Sequence, residues 1–277
     1  VTAFVLALIA LGLSLVFGVM RIVNVSHGEF FMLGAVFSWF AYHWTADSVW
    51  GFVLALLIAP VIVGFIAVFS ERFILRKVDY NPESTIVATI GILYVIQQLT
   101  LMGFGPEARP VEAPIYFRVS FPWFGYSGYK LLVALMSGLC LCGVWLLLKR
   151  TKLGLYMRAT QQDYEIATTF GVPTKKIYAS VFALGGGLAA LAGVLVVPIR
   201  QADHLMGLEP LLLSFIVVII GGLGSIRGTI IAAFLIGISD GIISVFYEPT
   251  LAKMLATLFV VMILIIKPSG LFGDNQQ

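Results

Sequence analysis

Charge is what this sequence has least of. Only 11% of its 277 residues are Asp, Glu, Lys or Arg, against about one quarter in an ordinary soluble domain. Apolar residues make up 60%, and the mean hydropathy is +1.02. A water-soluble chain of this size has too little interior to hide that much apolar surface. Lipid removes the difficulty, because the outward faces of the helices are then the ones that must be apolar. The scarcity of charge thus excludes an ordinary soluble domain. A net charge of +3 is also too small to point to nucleic acid.

Cysteine and histidine are nearly as scarce. Cys140 and Cys142 lie two apart in one apolar run, about 200° apart on a helix, so they cannot bridge each other. They read as small buried thiols. His27, His43 and His204 are scattered, and no metal site is expected. No phosphate-binding loop of the G-x-x-x-x-G-K-[ST] order and no nucleophile–base spacing is present, so the chain is not expected to hydrolyse ATP. No basic segment or small-residue cleavage site accompanies the first apolar run, so no cleavable signal is expected. That run starts at residue 1, which equally suits a chain whose first residues lie outside the sequence.

What is present is a series of long apolar runs. A spanning helix needs about 20 mostly apolar residues. Such runs fall near 1–20, 28–46, 50–70, 84–104, 129–148, 177–198, 208–221, 229–247 and 251–267. This predicts an all-α, polytopic bundle of nine spans, within a range of eight to ten. Residues 1–277 read as one transmembrane domain. The seventh run is short and ends in glycines, as a broken or re-entrant element would. Basic residues gather in the 71–83 loop (Arg72, Arg76, Lys77), in 149–176 (six of the 17) and at Lys267. Nine spans put all three on one side, and that side is predicted to be cytoplasmic. Glycines inside spans, among them Gly185, Gly186, Gly187, Gly193 and Gly237, predict close helix packing.

The segment 149–176 is the longest basic loop. Residues 161–170 predict a short helix, stopped by Gly171 with Pro173 just beyond. Ile166, Ala167 and Phe170 give it an apolar stripe, suited to a membrane surface or to a partner's groove. The pattern Glu165–Ile166–Ala167–x–x–x–Gly171 resembles the coupling loop of bacterial ABC-importer permeases. In that family this loop is a short helix seated in a cleft of the ATPase subunit.

Further segments sharpen the resemblance. GVMRIVNVSHGEFFMLGA at 18–35 is similar to the N-terminal signature of permeases for branched-chain amino acids. Gly154, Arg158, Ala159, Ala167 and Gly171 match that family's coupling loop. GGLGSIRG at 221–228 and KPSGLFG at 267–273 match its late glycine motif and its end. The resemblance spans essentially the whole chain. It implies a bacterial inner-membrane, multi-pass subunit that carries branched-chain or other hydrophobic amino acids and is not itself an enzyme. The implied partners are a second, paralogous permease, two cytoplasmic ATPase subunits that use ATP and Mg²⁺, a periplasmic binding protein and the bilayer. No cofactor is expected in this chain. Docking of the binding protein is expected on the loops near 105–128 and 199–207. Arg158, Ala159, Glu165, Ala167 and Gly171 are the expected ATPase-coupling residues.

Residues 21–29 break an apolar sequence with Asn24, His27, Gly28 and Glu29, among other polar groups. Two readings stand. One is a gate or transport path, since polar groups at membrane depth face protein or water. The other is a tight turn held by packing and caps, with Ser26 and Glu29 forming a capping box. Gly221, Gly222, Gly224 and Gly228 make a second such segment, for packing or for close backbone approach. The stretches 22–45 and 218–240 also suggest a faint internal repeat. A permease of the same fold carrying urea, short amides or another small polar solute is the alternative, and an ion-coupled carrier would need Glu29 or Asp240.

Overall fold

Thr2–Met20 is apolar on every side, and a helix of that kind belongs inside other protein. In the computed structural model this helix, α1, is the buried centre of a helical bundle. Residues 1–46, 48–120 and 125–246 are described, together with Met254, Leu258, Met262 and 270–272. After α1 come α2 (His27–Trp44), α3 (Val49–Phe73) and α4 (Pro82–Phe104). A short hairpin follows, β1 (Arg118–Ser120) antiparallel to β2 (Gly125–Ser127), with Val119 opposite Tyr126. The remaining helices are α5 (Gly128–Arg150), α6 (Lys152–Gln162), α7 (Tyr164–Thr169), α8 (Thr174–Val196), α9 (Leu208–Gly221) and α10 (Ile226–Phe246).

Six described helices are long and apolar enough to cross a membrane: α1, α3, α4, α5, α8 and α10. Two expected spans differ from these. The 18-residue α2 carries His27 and Glu29 in its first turn, and α9 has only 14 residues. The ninth expected run, 251–267, lies outside the described residues apart from three positions. Large apolar side chains of α3, α4 and α5, such as Phe65, Leu99 and Leu135, stand exposed on the outside, where lipid is their solvent.

The two short helices start in the middle of the bundle. His27 Nε2 meets the carbonyl of Ile9, halfway along α1, at 3.0 Å. Residues 21–26 therefore turn back from the end of α1 before α2 begins. The same happens at the other end: α8 stops at Val196, residues 197–207 turn back, and Gly207 leads into α9. Gly28 and Gly207 touch so closely that a Cβ on either would come within 2.4 Å of the other's carbonyl oxygen. The N-terminal ends of α2 and α9 thus meet at mid-depth.

The packing follows an inverted pattern. α1 packs on α9 and α10, as α8 packs on α2 and α3, while α1 and α8 pack on each other. Gly12 and Gly185 allow that last contact: a Cβ at Gly12 would lie 2.8 Å from the Gly185 carbonyl oxygen. The repeat thus relates α1–α3 to α8–α10. The expected pairing of 22–45 with 218–240 is corrected: the counterpart of 21–26 is 197–207, and α2 corresponds to α9.

Loops sort to two ends. At one, Arg76 Nη2 donates to the Lys175 carbonyl (3.3 Å), and Gln161 Nε2 donates to that of Gly224 (3.3 Å), which gathers the basic loops with the glycine turn. At the other, Arg109 and Ala202 form a two-bond antiparallel bridge (2.9 and 2.8 Å) that ties the 105–128 loop to 199–207. The Arg109 guanidinium is stacked over Trp39 and Phe104, 4.5 and 4.8 Å from their ring centres.

Candidate functional site

The residues expected as path or gate lie at mid-depth, around the start of α2. Asn24, Ser26, His27 and Glu29 are all buried. Asn24 Oδ1 accepts from the Ser26 backbone N–H (3.1 Å) and hydroxyl (2.7 Å). The expected capping box is therefore not formed: Asn24 captures the Ser26 hydroxyl, and Glu29 turns away to α4. There Gln97 Nε2 donates to Glu29 Oε1 at 3.0 Å, and Thr89 Oγ1 accepts from the Val25 N–H at 3.2 Å. His27 must carry a proton on Nε2 to bond the Ile9 carbonyl, which makes Nδ1 an acceptor in the neutral ring. Asn24 Nδ2, His27 Nδ1, Glu29 Oε2 and Thr85 Oγ1 have no partner among the described residues. Each such buried group costs about 1–3 kcal/mol if left unpaired. His27 faces Ile9 and Gly12 of α1, whereas Glu29 faces Gln97 of α4, so these groups lie on two sides of α2.

The α4 half of this cluster was not singled out from the sequence. Thr85, Thr89 and Gln97 are neutral and match no motif, although their spacing of four and eight puts them on one helical face. Gly28 supplies space for the Gly207 backbone and no functional group.

At the basic end, the predicted single helix over 161–170 is two helices. Asp163 is extended (φ −154°, ψ 116°), ends α6 and caps α7, with Oδ1 accepting from the Ile166 N–H at 2.8 Å. Gly171 closes α7 in the left-handed region (φ 80°), with its N–H on the Thr168 carbonyl and that of Val172 on Ala167. The expected apolar stripe divides. Ala167 is buried, whereas Ile166 and Phe170 are 57% and 83% exposed. Glu165 is exposed on the same short helix. Arg158 donates to the Leu148 carbonyl at the end of α5, and Gly154 gives α6 room against that same carbonyl. Ala159 is half-buried on α6. In this chain Arg158 thus fixes the α5–α6 corner, while α7 carries the protruding side chains.

The glycine turn sits beside this region. Gly221 packs face to face on Gly228, where a Cβ at Gly228 would lie 1.8 Å from the Gly221 carbonyl oxygen. Gly222 and Gly224 have φ of 100° and 80°, which side chains other than glycine rarely adopt. Gly224 also packs on Gly18, and Arg21 Nη2 reaches the Gln161 carbonyl at 3.5 Å. From the other side, Leu271 and Phe272 donate to the Ile220 and Gly221 carbonyls at 2.7 and 3.2 Å. The turn is thus a hub joining α1, α6, α9 and α10 with the segment at 270–272.

A further group was missed from the sequence. Glu71 is fully buried at the end of α3, where Arg76 Nη2 reaches both its oxygens (3.1 and 3.2 Å) and the Tyr80 hydroxyl bonds Oε1. Burial, then the Glu71 carboxylate, hold the Tyr80 phenol above its ordinary range. Tyr80 packs edge-on against Tyr178, and Tyr178 packs against Tyr164 of α7, with ring centres 4.9 and 5.6 Å apart. Arg76 was read only as a topology charge; the acidic residue five positions before it was the available signal.

No group of three His, Cys, Asp or Glu that could hold a metal occurs among the described residues. Comparison with known proteins agrees with the helical, membrane-spanning architecture. Residues 1–266 match the family model for "Branched-chain amino acid transport system / permease component". The high-affinity branched-chain amino acid transport system permease protein LivH of Escherichia coli (strain K12) is 24% identical, over 96% of this chain and 91% of its own length. BraD of Pseudomonas aeruginosa, a permease protein of the same description, is 24% identical with the same two coverages. A probable LivH of Methanocaldococcus jannaschii is 25% identical over 97% of this chain and 88% of its own. No solved structure matches. The chain is a multi-pass inner-membrane transport protein, and it belongs to the family of branched-chain amino acid transport system permease components.

Proposed function

We propose that the chain is one of two membrane-spanning subunits of an importer driven by separate ATPase subunits, and that it passes branched-chain or other hydrophobic amino acids delivered by a periplasmic binding protein. The observation that carries this reading is α7: a six-residue helix, capped at both ends, that thrusts Ile166 and Phe170 outward from the basic end. Such a knob is what a cleft in a partner would grip. ATP and Mg²⁺ belong to the partner subunits, and this chain contributes the lever.

Closure of the ATPases moves α7, with Glu165, Ala167 and Gly171 shaping the lever. Movement has two routes inward. One runs through Tyr164 and Tyr178 to the Tyr80–Glu71–Arg76 group at the end of α3. The other runs through Gln161 to Arg21 and Gly224, at the start of the segment that leads to Asn24, His27 and Glu29. That mid-depth cluster, where α2 and α9 begin, is the gate. The basic end faces the cytoplasm, and the joined loops 105–120 and 199–207 face the binding protein. Binding energy from both partners shifts the population between inward- and outward-open states.

A second reading, transport of urea or a short amide by the same machinery, draws on the unpartnered Asn24, His27 and Glu29 atoms, which suit a small polar solute. The test is ATP hydrolysis in proteoliposomes that hold this chain with its partner permease, ATPases and binding protein. Stimulation by leucine, isoleucine and valine is expected. Stimulation by urea alone would move the substrate, and none at all in an intact complex would overturn the importer reading.

A further inference from the structure

We propose that the corner between α5 and α6 binds an anionic phospholipid. Its phosphodiester headgroup meets Lys149, Arg150 and Lys152, and an acyl chain lies along the exposed apolar stripe of α5. The inference goes beyond the importer reading and needs only that α5 spans the bilayer. That helix is 23 residues long and apolar enough to cross. Lys149 and Arg150 are its last two residues, so they stand at one bilayer surface, at the depth of the phosphates. Thr151 ends α5 and caps α6, whose first residue is Lys152, so three cations fall within four positions.

These cations lack the partners that basic residues nearby possess. Arg76 has Glu71, and Arg158 of α6 donates to the Leu148 carbonyl. Lys149, Arg150 and Lys152 are exposed, and none of them forms an ion pair with a carboxylate among the described residues. The reason lies in the chain itself: positions 113–162 hold no Asp or Glu. Lys149 Nζ lies over the Trp145 ring, 4.7 Å from its centre. Trp145 is half-exposed, and an indole at the end of a spanning helix seats at headgroup level, which sets the ammonium at the same depth.

An apolar stripe leads to these charges. Leu135, Leu139, Cys142 and Leu146 recur at steps of four and three, which is one face of α5, and all are exposed. The next step along that face is Lys149. Leu155, three positions after Lys152 in α6, is exposed as well. Helix contacts within lipid favour Gly, Ala and Ser, and Gly143 is the one such residue exposed on α5, so the stripe suits an acyl chain better than a second helix. Cations and stripe together select an anionic amphiphile. A free phosphate or an acidic peptide would leave the stripe uncovered, and a zwitterionic lipid brings a cation of its own to the same place.

The test uses the full chain, assembled with its partner subunits, in nanodiscs. Cys142 carries a bimane fluorophore, and the remaining cysteines of the complex are replaced by serine. Cys142 is exposed on the stripe about 10 Å along the helix from Lys149, so a lipid seated at the corner passes its chain over the label. Phosphatidylglycerol and phosphatidylcholine with the same brominated chains are compared at equal mole fraction in unbrominated phosphatidylcholine. Each cation is worth roughly fivefold in preference for an anionic headgroup, so the brominated phosphatidylglycerol is expected to quench at least about twofold more. Lys149→Gln/Arg150→Gln/Lys152→Gln should make the two lipids equal while leaving the melting temperature unchanged. If the triple variant does not fold, Lys149→Gln and Lys152→Gln are measured singly, and each should narrow the difference. Equal quenching by the two lipids in the unsubstituted chain, or a preference that survives these substitutions, would overturn the site. Quenching by neither lipid would show the stripe to be covered by the partner permease, and would overturn it too.

Discussion

Gln97 on α4 donates to the Glu29 carboxylate on α2 over 3.0 Å, and this is the one side-chain bond Glu29 has among the described residues. Glu29 is fully buried and its other oxygen has no partner among them, so losing this bond leaves the whole carboxyl group unpaired. Gln97→Leu is therefore expected to destabilise the protein by about 1–3 kcal/mol. Thermal melting in detergent reads this as a clear drop in Tm. Glu29→Gln keeps an amide–amide bond to Gln97 and should melt close to wild type, yet slow uptake if the cluster is the gate. Normal uptake by a stable Glu29→Gln protein would remove Glu29 from the path.

Phe170 and Asp163 separate docking from folding. Phe170 is 83% exposed, so Phe170→Ala should leave Tm unchanged and weaken co-purification with the ATPase subunits. Asp163→Ala removes the N-cap of α7 and costs about 0.5–2 kcal/mol locally. Gly171→Val forces a β-branched residue into φ 80°, at about 1–2 kcal/mol. Both are expected to lower substrate-stimulated ATP hydrolysis. If Phe170→Ala hydrolyses and transports normally, α7 is not the lever.

Arg76→Gln leaves Glu71 buried with only Tyr80 as partner. The expected loss is about 3 kcal/mol, at the low end of buried-pair costs because Arg76 is partly exposed. The double variant Glu71→Gln/Arg76→Gln should regain part of it, since the uncompensated charge is gone. Denaturation midpoints of the two single variants and the double variant close the cycle. Additive losses would show that the pair does not act as a unit.

Gly34 in α2 abuts α8 so closely that a Cβ would lie 2.1 Å from the Ala190 carbonyl oxygen. Gly34→Leu is expected to push α2 off α8, cost upwards of about 3 kcal/mol and reduce the yield of folded protein. Gly91, whose added Cβ meets nothing within 4 Å, is the control, and Gly91→Leu should be tolerated. Fluorescence-detected size exclusion distinguishes the two outcomes.

The sequence by itself determined the solvent, the main spans and the end at which basic loops gather. These depend on sums over neighbouring residues, namely hydropathy across about 20 positions and charge within a short loop. It also marked Asn24, His27, Gly28 and Glu29, because polar residues in an apolar run are visible one at a time. The Asp163 break was not among these: the sequence predicts one helix over 161–170, and the structure divides it at Asp163. Only the tertiary structure decided that α2 and α9 begin at mid-depth, that Glu29 bonds Gln97 rather than Ser26, and that Glu71, Arg76 and Tyr80 form one group. It alone paired α1–α3 with α8–α10 and set Arg200 beside Glu209. Partners such as Glu29 and Gln97 stand 68 residues apart, and no local pattern encodes which distant polar group a buried one will find. Packing chooses, through glycines that let one backbone rest on another.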